Sequence, residues 1–82
     1  MSAERMPIKA LEQNLNEIVS IKLKDQRIFS GRLTRCDVYM NLTLADAEEL
    51  VPGEDGVPQP KAKYGEILLR GNNILWIRIP EE

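Results

Sequence analysis

The 82-residue sequence contains no histidine, a single cysteine and few aromatic residues (5%). With Cys36 alone and no histidine, the chain has neither a ligand cluster for zinc nor a cysteine pair for a disulfide. No nucleophile is paired with a base, so we expect no enzymatic activity, no cofactor and no metal site. A lone thiol fits a reducing compartment, and we expect the protein to be cytoplasmic.

Long apolar runs and an excess of positive charge are also missing. No run approaches the roughly 20 apolar residues that cross a bilayer, so we expect no contact with membranes. The formal net charge of −2 excludes a broadly basic surface, and any nucleic-acid binding would have to be local. Residues 1–82 fit a single small globular domain that is marginally stable alone, and association with other chains is the remaining source of stability.

Hydrophobic spacing predicts one short helix followed by strands. Ile8, Leu11 and Leu15 fall at i, i+3 and i+7, which predicts a helix over about 7–16 with Pro7 at its first position. From Val19 onward the apolar period changes to two, which is typical of half-buried strands. The five predicted strands cover residues 19–24, 27–36, 41–50, 63–70 and 74–80. Residues 51–62 hold three prolines and two glycines and are predicted to be a loop.

These strands predict a small barrel of the mainly β class. Gly31 lies in the middle of the second predicted strand, where glycine commonly marks a sharp bend or a close backbone approach. The connections are too short for parallel crossovers, so the sheet should be antiparallel. The fourth and fifth strands are apolar on both faces. We therefore expect copies of the chain to pair strand to strand, head to tail, until a ring closes.

Two motifs make the sequence similar to the Sm and Sm-like (LSm) family. The first motif corresponds to residues 19–49 and the second to residues 67–77. The positions that carry the resemblance are Gly31, Asp37, Met40, Asn41, Arg70 and Gly71. The resemblance extends over nearly the whole chain, and the compact sequence looks most like the archaeal members.

The resemblance implies a helix that caps a strongly bent, five-stranded antiparallel barrel. It also implies rings of six or seven subunits, in which strand four of one copy pairs with strand five of the next. The inner pore rim of such a ring binds single-stranded, uridine-rich RNA in RNA processing or turnover, with RNA-processing proteins as further partners. The sequence departs from the family pattern at Gln26, Cys36 and Tyr39.

Two turns that the family brings together at the rim carry the expected RNA-binding residues. These are Asp37, Tyr39, Asn41, Arg70, Gly71 and Asn72. We expect Tyr39 and Arg70 to cover the two faces of a base, because flat side chains stack on unpaired bases. The amide of Asn41 could donate to a uracil carbonyl and accept from its N–H, held in orientation by Asp37. The backbone N–H of Gly71 or Asn72 is a further candidate donor to the base.

Simpler interpretations exist for the same residues. Asp37 and Asn41 are common in turns, where they satisfy backbone donors without any ligand. Arg70 could be a solvated charge at the end of a strand. The alternative function is an oligomeric protein-interaction scaffold with weak or no RNA binding, although such a protein would be free to lose these three residues.

Overall fold

One short helix and six strands follow one another along residues 8–79, the part of the chain that the computed structural model describes. The helix, α1, covers Ile8–Glu12. The strands are β1 (Ile18–Leu23), β2 (Ile28–Cys36), β3 (Leu42–Pro52), β4 (Pro58–Lys63), β5 (Ile67–Leu69) and β6 (Ile74–Arg78). A single 3₁₀ turn, Gly71–Asn73, connects β5 to β6. The prediction of a mainly β chain with a short N-terminal helix is confirmed.

Helix α1 ends four residues before the predicted boundary. The side-chain amide of Asn14 donates to the carbonyl oxygen of Ala10 (2.8 Å), and Asn16 has a φ of 72°, so the chain leaves the helix through a turn. Asparagine favours such turns because its short side chain competes for backbone hydrogen bonds. Leu11 is fully buried, whereas Leu15 lies beyond the helix and is partly exposed. Pro7 lies outside the described residues.

The strands form one antiparallel sheet in the order β4-β3-β2-β1-β6, and β5 also pairs with β3. Both β4 and β5 therefore lie along the same side of β3. The predicted fourth strand, 63–70, is found only in part: β5 covers Ile67–Leu69, and Lys63 is the last residue of β4. Within residues 8–79, β5 and β6 lie at opposite ends of the sheet and do not pair with each other. The sheet is thus bent but not closed, and it ends in two edges.

Gly31 allows β2 and β3 to approach closely at an irregularity in their pairing. The β2–β3 register shifts between Ser30 and Arg32, and Asp46 on β3 has a φ of 51°. A Cβ atom on Gly31 would lie 3.1 Å from the carbonyl oxygen of Ala45 and 3.2 Å from the Cα of Ala47. Only glycine fits here without pushing β3 away, as the sequence predicted.

The core lies between the concave face of the sheet and helix α1. Its buried members are Leu11, Val19, Ile21, Leu23, Phe29, Leu33, Leu42, Leu44, Ala47, Leu69, Ile74 and Ile77. The inward positions that a period of two predicts in β1, β2 and the first residues of β3 are found in this cluster; they are Val19, Ile21, Leu23, Phe29, Leu33, Leu42 and Leu44. The alternation holds there because one face of each strand lies on the core. Further along β3 it shifts by one residue at Asp46, after which Ala47 and Glu49 are the buried residues.

Residues 51–62 form most of a β-hairpin, and the prediction of a loop over this range is wrong. Gly53 donates to the carbonyl oxygen of Val57 (2.9 Å), and Gly56 turns the chain with a φ of 82°. Pro58 and Pro60 lie within β4, where they face Pro52 and Leu50 of β3. Proline is compatible with an edge strand wherever its nitrogen points away from the neighbouring strand. The prolines were therefore a misleading sign of a loop.

Strand β6 departs from the alternation predicted for it. Lys22 pairs with Trp76 and Leu23 pairs with Ile74, so Leu75 is an extra residue in a bulge. The bulge puts both Ile74 and Ile77 into the core and leaves Leu75 exposed. A strict period of two would place Ile74 and Ile77 on opposite faces of the strand.

Glu49 is the one buried charged residue within residues 8–79. Its carboxylate accepts a hydrogen bond from the Tyr64 hydroxyl (3.0 Å), and the Lys61 ammonium lies 3.7 Å away. The Tyr64 ring also packs against Phe29 at a centroid distance of 6.0 Å. These partners compensate the cost of burying a carboxylate, and they attach the Tyr64–Glu66 connection to β3.

Candidate nucleic-acid interface

Asp37 organises the turn between β2 and β3. Its Oδ1 atom accepts hydrogen bonds from the backbone N–H groups of Tyr39 (2.9 Å) and Asn41 (3.0 Å). The backbone closes the same turn, because Met40 donates to the Asp37 carbonyl (3.0 Å). Met40 takes a φ of 65°, a conformation that is uncommon for residues other than glycine and asparagine. The carboxylate thus offsets the strain of a tight turn by satisfying its exposed donors.

Asn41 connects this turn to the one between β5 and β6. Its Nδ2 atom donates to Oδ2 of Asp37 (3.1 Å), and its Oδ1 atom accepts from the backbone N–H of Gly71 (2.9 Å). A carboxylate accepts only and an N–H donates only, so these two partners together fix which way the amide faces. One hydrogen on Nδ2 and one lone pair on Oδ1 remain for a ligand.

Gly71 lets the two turns touch. A Cβ atom there would collide with the Tyr39 carbonyl oxygen and would lie 2.9 Å from the carbonyl carbon of Met40. The close neighbour of Gly71 is thus the backbone of the first turn. The N–H of Gly71, one of the two predicted donors to a base, is donated to Asn41 in this structure. Asn72, which is exposed, remains the candidate for that role.

Two flat side chains project from the paired turns. Tyr39 is 78% exposed and Arg70 is exposed as well, the former on the first turn and the latter immediately before Gly71. Burying a tyrosine ring is favourable, but no side chain within residues 8–79 covers the ring of Tyr39. Val38 beside it is 74% exposed. All six residues predicted for the site therefore lie on two turns held together by Asn41.

The charge of the site is mixed. Partial desolvation raises the pKa of the Asp37 carboxyl, but the hydrogen bonds from Asn41 and Tyr39 and the positive charge of Arg70 outweigh it. The pKa of Asp37 consequently lies below its usual value, and the group is a carboxylate at neutral pH. It remains an acceptor for the Asn41 amide throughout the physiological range.

Other kinds of site are not found in the described part of the chain. No group of three or more acidic, cysteine or histidine side chains within residues 8–79 could hold a metal ion. No helix in that range is long and apolar enough to cross a membrane.

A short helix, a bent open sheet and two turns joined by an asparagine side chain define a small protein of the mainly β class. The LSM domain family model matches residues 9–79. An Sm-like protein of Pyrococcus horikoshii is 40% identical over 80 residues, which are 98% of this chain and 99% of that protein. The chain belongs to the LSM domain family, the Sm and Sm-like proteins.

Solved structures agree with this assignment. The Pyrococcus abyssi Sm protein in complex with a uridine heptamer has a TM-score of 0.76 and 34% identity, covering 93% of this chain and all of that one. A heptameric archaeal Sm protein has a TM-score of 0.73 and 33% identity, covering 89% of this chain and 98% of that one. These proteins share the architecture of this chain along almost its entire length.

Proposed function

We propose that this chain assembles into a ring and binds single-stranded, uridine-rich RNA at the inner rim. The ring would be a scaffold, without enzymatic activity, in RNA processing or turnover. The observation that carries this proposal is the fixed amide of Asn41, held between the Asp37 carboxylate and the Gly71 N–H. The uridine heptamer bound by the similar Pyrococcus abyssi protein supports the choice of ligand.

The orientation of the Asn41 amide favours uracil over cytosine. Uracil presents an accepting O4 next to a donating N3–H, whereas cytosine presents a donor and an acceptor in the reverse order. The remaining hydrogen on Nδ2 would donate to O4, and the remaining lone pair on Oδ1 would accept from N3–H. A cytosine could be accommodated only if the amide flipped, which would break both of its present hydrogen bonds.

Tyr39 and Arg70 supply stacking rather than discrimination. A base placed against the exposed Tyr39 ring would gain roughly 1–3 kcal/mol from stacking. The planar guanidinium of Arg70 would cover the other side of the base and offset the charge of the phosphate. Because stacking accepts every base, base selectivity in this proposal comes from Asn41 alone.

The open ends of the sheet support assembly into a ring. Within residues 8–79, the outer edges of β5 and β6 have no partner strand, and Leu68 and Leu75 on them are exposed. A groove of about 250 Å³ beside β5 is lined by Arg27 and by mostly apolar side chains that include Phe29 and Tyr64. A second copy that paired its β6 with β5 would cover this groove and return both edges to a continuous sheet.

Closure of the ring would bring several copies of the same weak base-binding site close together. Each additional base would bind at the high effective concentration created by the first. This matters because seven copies at −2 each carry a formal charge of −14, which repels RNA at a distance. We therefore expect pocket contacts to supply the affinity and the salt dependence of binding to be moderate.

Native mass spectrometry with oligo(U) and oligo(C) tests the proposal directly. The expected result is one ring of six or seven copies that binds oligo(U) tightly and oligo(C) far more weakly. Equal affinity for the two oligomers would contradict the role of Asn41. An intact ring that binds neither would favour the protein-interaction scaffold, and a monomer at micromolar concentration would overturn the ring itself.

Tyr39→Leu tests the stacking contribution with little risk to the fold, because the ring is exposed. We expect its affinity for oligo(U) to fall about fivefold or more, from the lost stack. Val38→Ala is the matched control, since this neighbour in the same turn is similarly exposed but offers no flat face. If both variants lose affinity equally, the stacking role of Tyr39 is wrong.

A further inference from the structure

Strand β4 is an edge strand with two prolines in alternate positions. It covers Pro58–Lys63 and, within residues 8–79, pairs only with β3. Its side chains are almost all exposed. At six residues it is twice as long as β5, the neighbouring three-residue strand on the same side of β3. By length alone, β4 would be the better template for pairing with another chain.

The alternation of hydrogen-bonded and non-hydrogen-bonded pairs in the hairpin shows where the nitrogens of Pro58 and Pro60 point. Gly53 donates to the Val57 carbonyl, so these residues form a hydrogen-bonded pair. Pairs alternate along an antiparallel ladder, and the next pair, Pro52 with Pro58, is therefore not hydrogen-bonded. By the same alternation, Leu50 and Pro60 form a second pair that is not hydrogen-bonded. In such pairs the backbone nitrogens point away from the partner strand.

Both prolines of β4 thus occupy positions whose N–H would face outward from the sheet. A proline nitrogen carries no hydrogen, so these two outward N–H donors are missing from β4. The ladder with β3 stays intact, because it does not use donors at these positions. An incoming strand, however, would find no donor at either position and would meet the pyrrolidine rings. Further along β4, Lys61 and Lys63 are exposed and add positive charge to the same segment.

We propose that Pro58 and Pro60 close the β4 edge to strand addition and so confine pairing between copies to the β5 edge, Ile67–Leu69. This inference rests on the proposed ring. A copy that paired along β4 would be shifted in register and would not bring its own pore turns next to those of its neighbour. A shifted contact would not close a ring and would leave open assemblies that grow. The prolines thereby select one interface among the available edges.

Restoring the two missing donors tests the inference. In the double variant Pro58→Val, Pro60→Val, the outward N–H groups return and β4 becomes an unblocked edge. Analytical ultracentrifugation should show loss of the single ring species and appearance of faster-sedimenting assemblies that increase with protein concentration. Two matched controls test whether the restored N–H groups, rather than the changed side-chain composition, cause the larger assemblies. Gln59→Val adds the same apolar, β-branched side chain without a new outward N–H, and Pro52→Val removes a proline from the strand that β4 already covers.

The outcomes are distinct from those of the ring proposal. Assemblies larger than the ring in the double variant, with both controls sedimenting like the wild type, would support edge closure. A double variant that keeps the wild-type ring would overturn edge closure and leave the ring standing. Assemblies in Gln59→Val as well would attribute growth to hydrophobicity and would also overturn it. A monomeric wild type would instead refute the ring on which the inference depends.

Discussion

The substitution Gly71→Ala places a methyl group where the β2–β3 turn and the β5–β6 turn touch. The added Cβ would overlap the Tyr39 carbonyl oxygen and would lie 2.9 Å from the Met40 carbonyl carbon and 3.0 Å from its Cβ. Two of these atoms belong to the backbone of a tight turn that Asp37 holds closed, so they cannot rotate away as a flexible side chain would. The turns must therefore separate, and the Gly71 N–H must move away from Asn41.

The expected cost follows from two contributions. Overpacking of a close contact costs typically about 1–3 kcal/mol. The 2.9 Å hydrogen bond from Gly71 to Asn41 is lost or weakened as well, at about 0.5–1.5 kcal/mol. A loss of roughly 2–4 kcal/mol in a domain of this size corresponds to a fall in Tm on the order of 10–30 °C.

Thermal unfolding followed by circular dichroism, at one fixed protein concentration, measures this loss. The same samples should show weaker binding of oligo(U), because the amide of Asn41 no longer has both of its anchors. Gly65→Ala is the matched control: a Cβ there meets nothing within 4 Å, so its Tm should equal or slightly exceed that of the wild type.

A Gly71→Ala variant with the Tm and oligo(U) affinity of the wild type would refute the reasoning. It would mean that the two turns are not in contact, and that Asn41 is oriented by something other than the Gly71 N–H. A fall in Tm in Gly65→Ala of the same size would indicate a general intolerance of alanine rather than a contact at Gly71.

Three further predictions concern Asp37, Tyr64 and Gly31. The pKa of Asp37 is lowered from its usual 3.8, so its contribution to stability is complete above that pH and disappears as the pH falls through the lower folded value. Asp37→Asn should therefore be less stable at neutral pH and lose less stability than the wild type on acidification, as measured by acid unfolding. Tyr64→Phe removes the donor to buried Glu49 and should cost about 1–3 kcal/mol in chemical denaturation. Tyr39→Phe, which removes an exposed hydroxyl, should leave stability unchanged, and equal losses in the two would contradict the role of the Glu49 contact. Gly31→Ala crowds the β2–β3 bend at 3.1–3.2 Å and should cost about 1–3 kcal/mol. Oligo(U) binding by the folded variant should stay unchanged, and a selective loss of binding would show that the bend also shapes the RNA site.

The choice of the six candidate residues came from the resemblance to the Sm family, whereas the internal contacts of the first turn were predictable because turn chemistry is local. The carboxylate of Asp37 reaches donors on Tyr39 and Asn41, only two and four residues away. Such contacts depend on short-range geometry that the residue types already specify. The hydrogen bond from Asn41 to Asp37 was predicted correctly for the same reason. The hydrogen bond from the Gly71 N–H to Asn41 was not predicted.

The hairpin shows the opposite case, in which a correct local rule led to a wrong prediction. Three prolines within residues 51–62 indicate a break in regular structure when the neighbouring strand is unknown. Whether a proline breaks a strand depends on which side its nitrogen faces, and that depends on the register with β3. Register is set by the whole sheet, so the sequence of the hairpin could not supply it.

By itself, the sequence determined the inward face of β1, β2 and the first residues of β3, the close backbone approach at Gly31 and the two turns that carry the polar residues. Each of these follows from residues that are near neighbours in the chain. Only the tertiary structure decided that Asn41 and Gly71, 30 positions apart, share a hydrogen bond, and that within residues 8–79 β5 and β6 do not pair with each other. The reason is physical: a side chain's periodicity is fixed by its own strand, whereas a contact between distant turns exists only after bends and bulges have set the register of every strand between them.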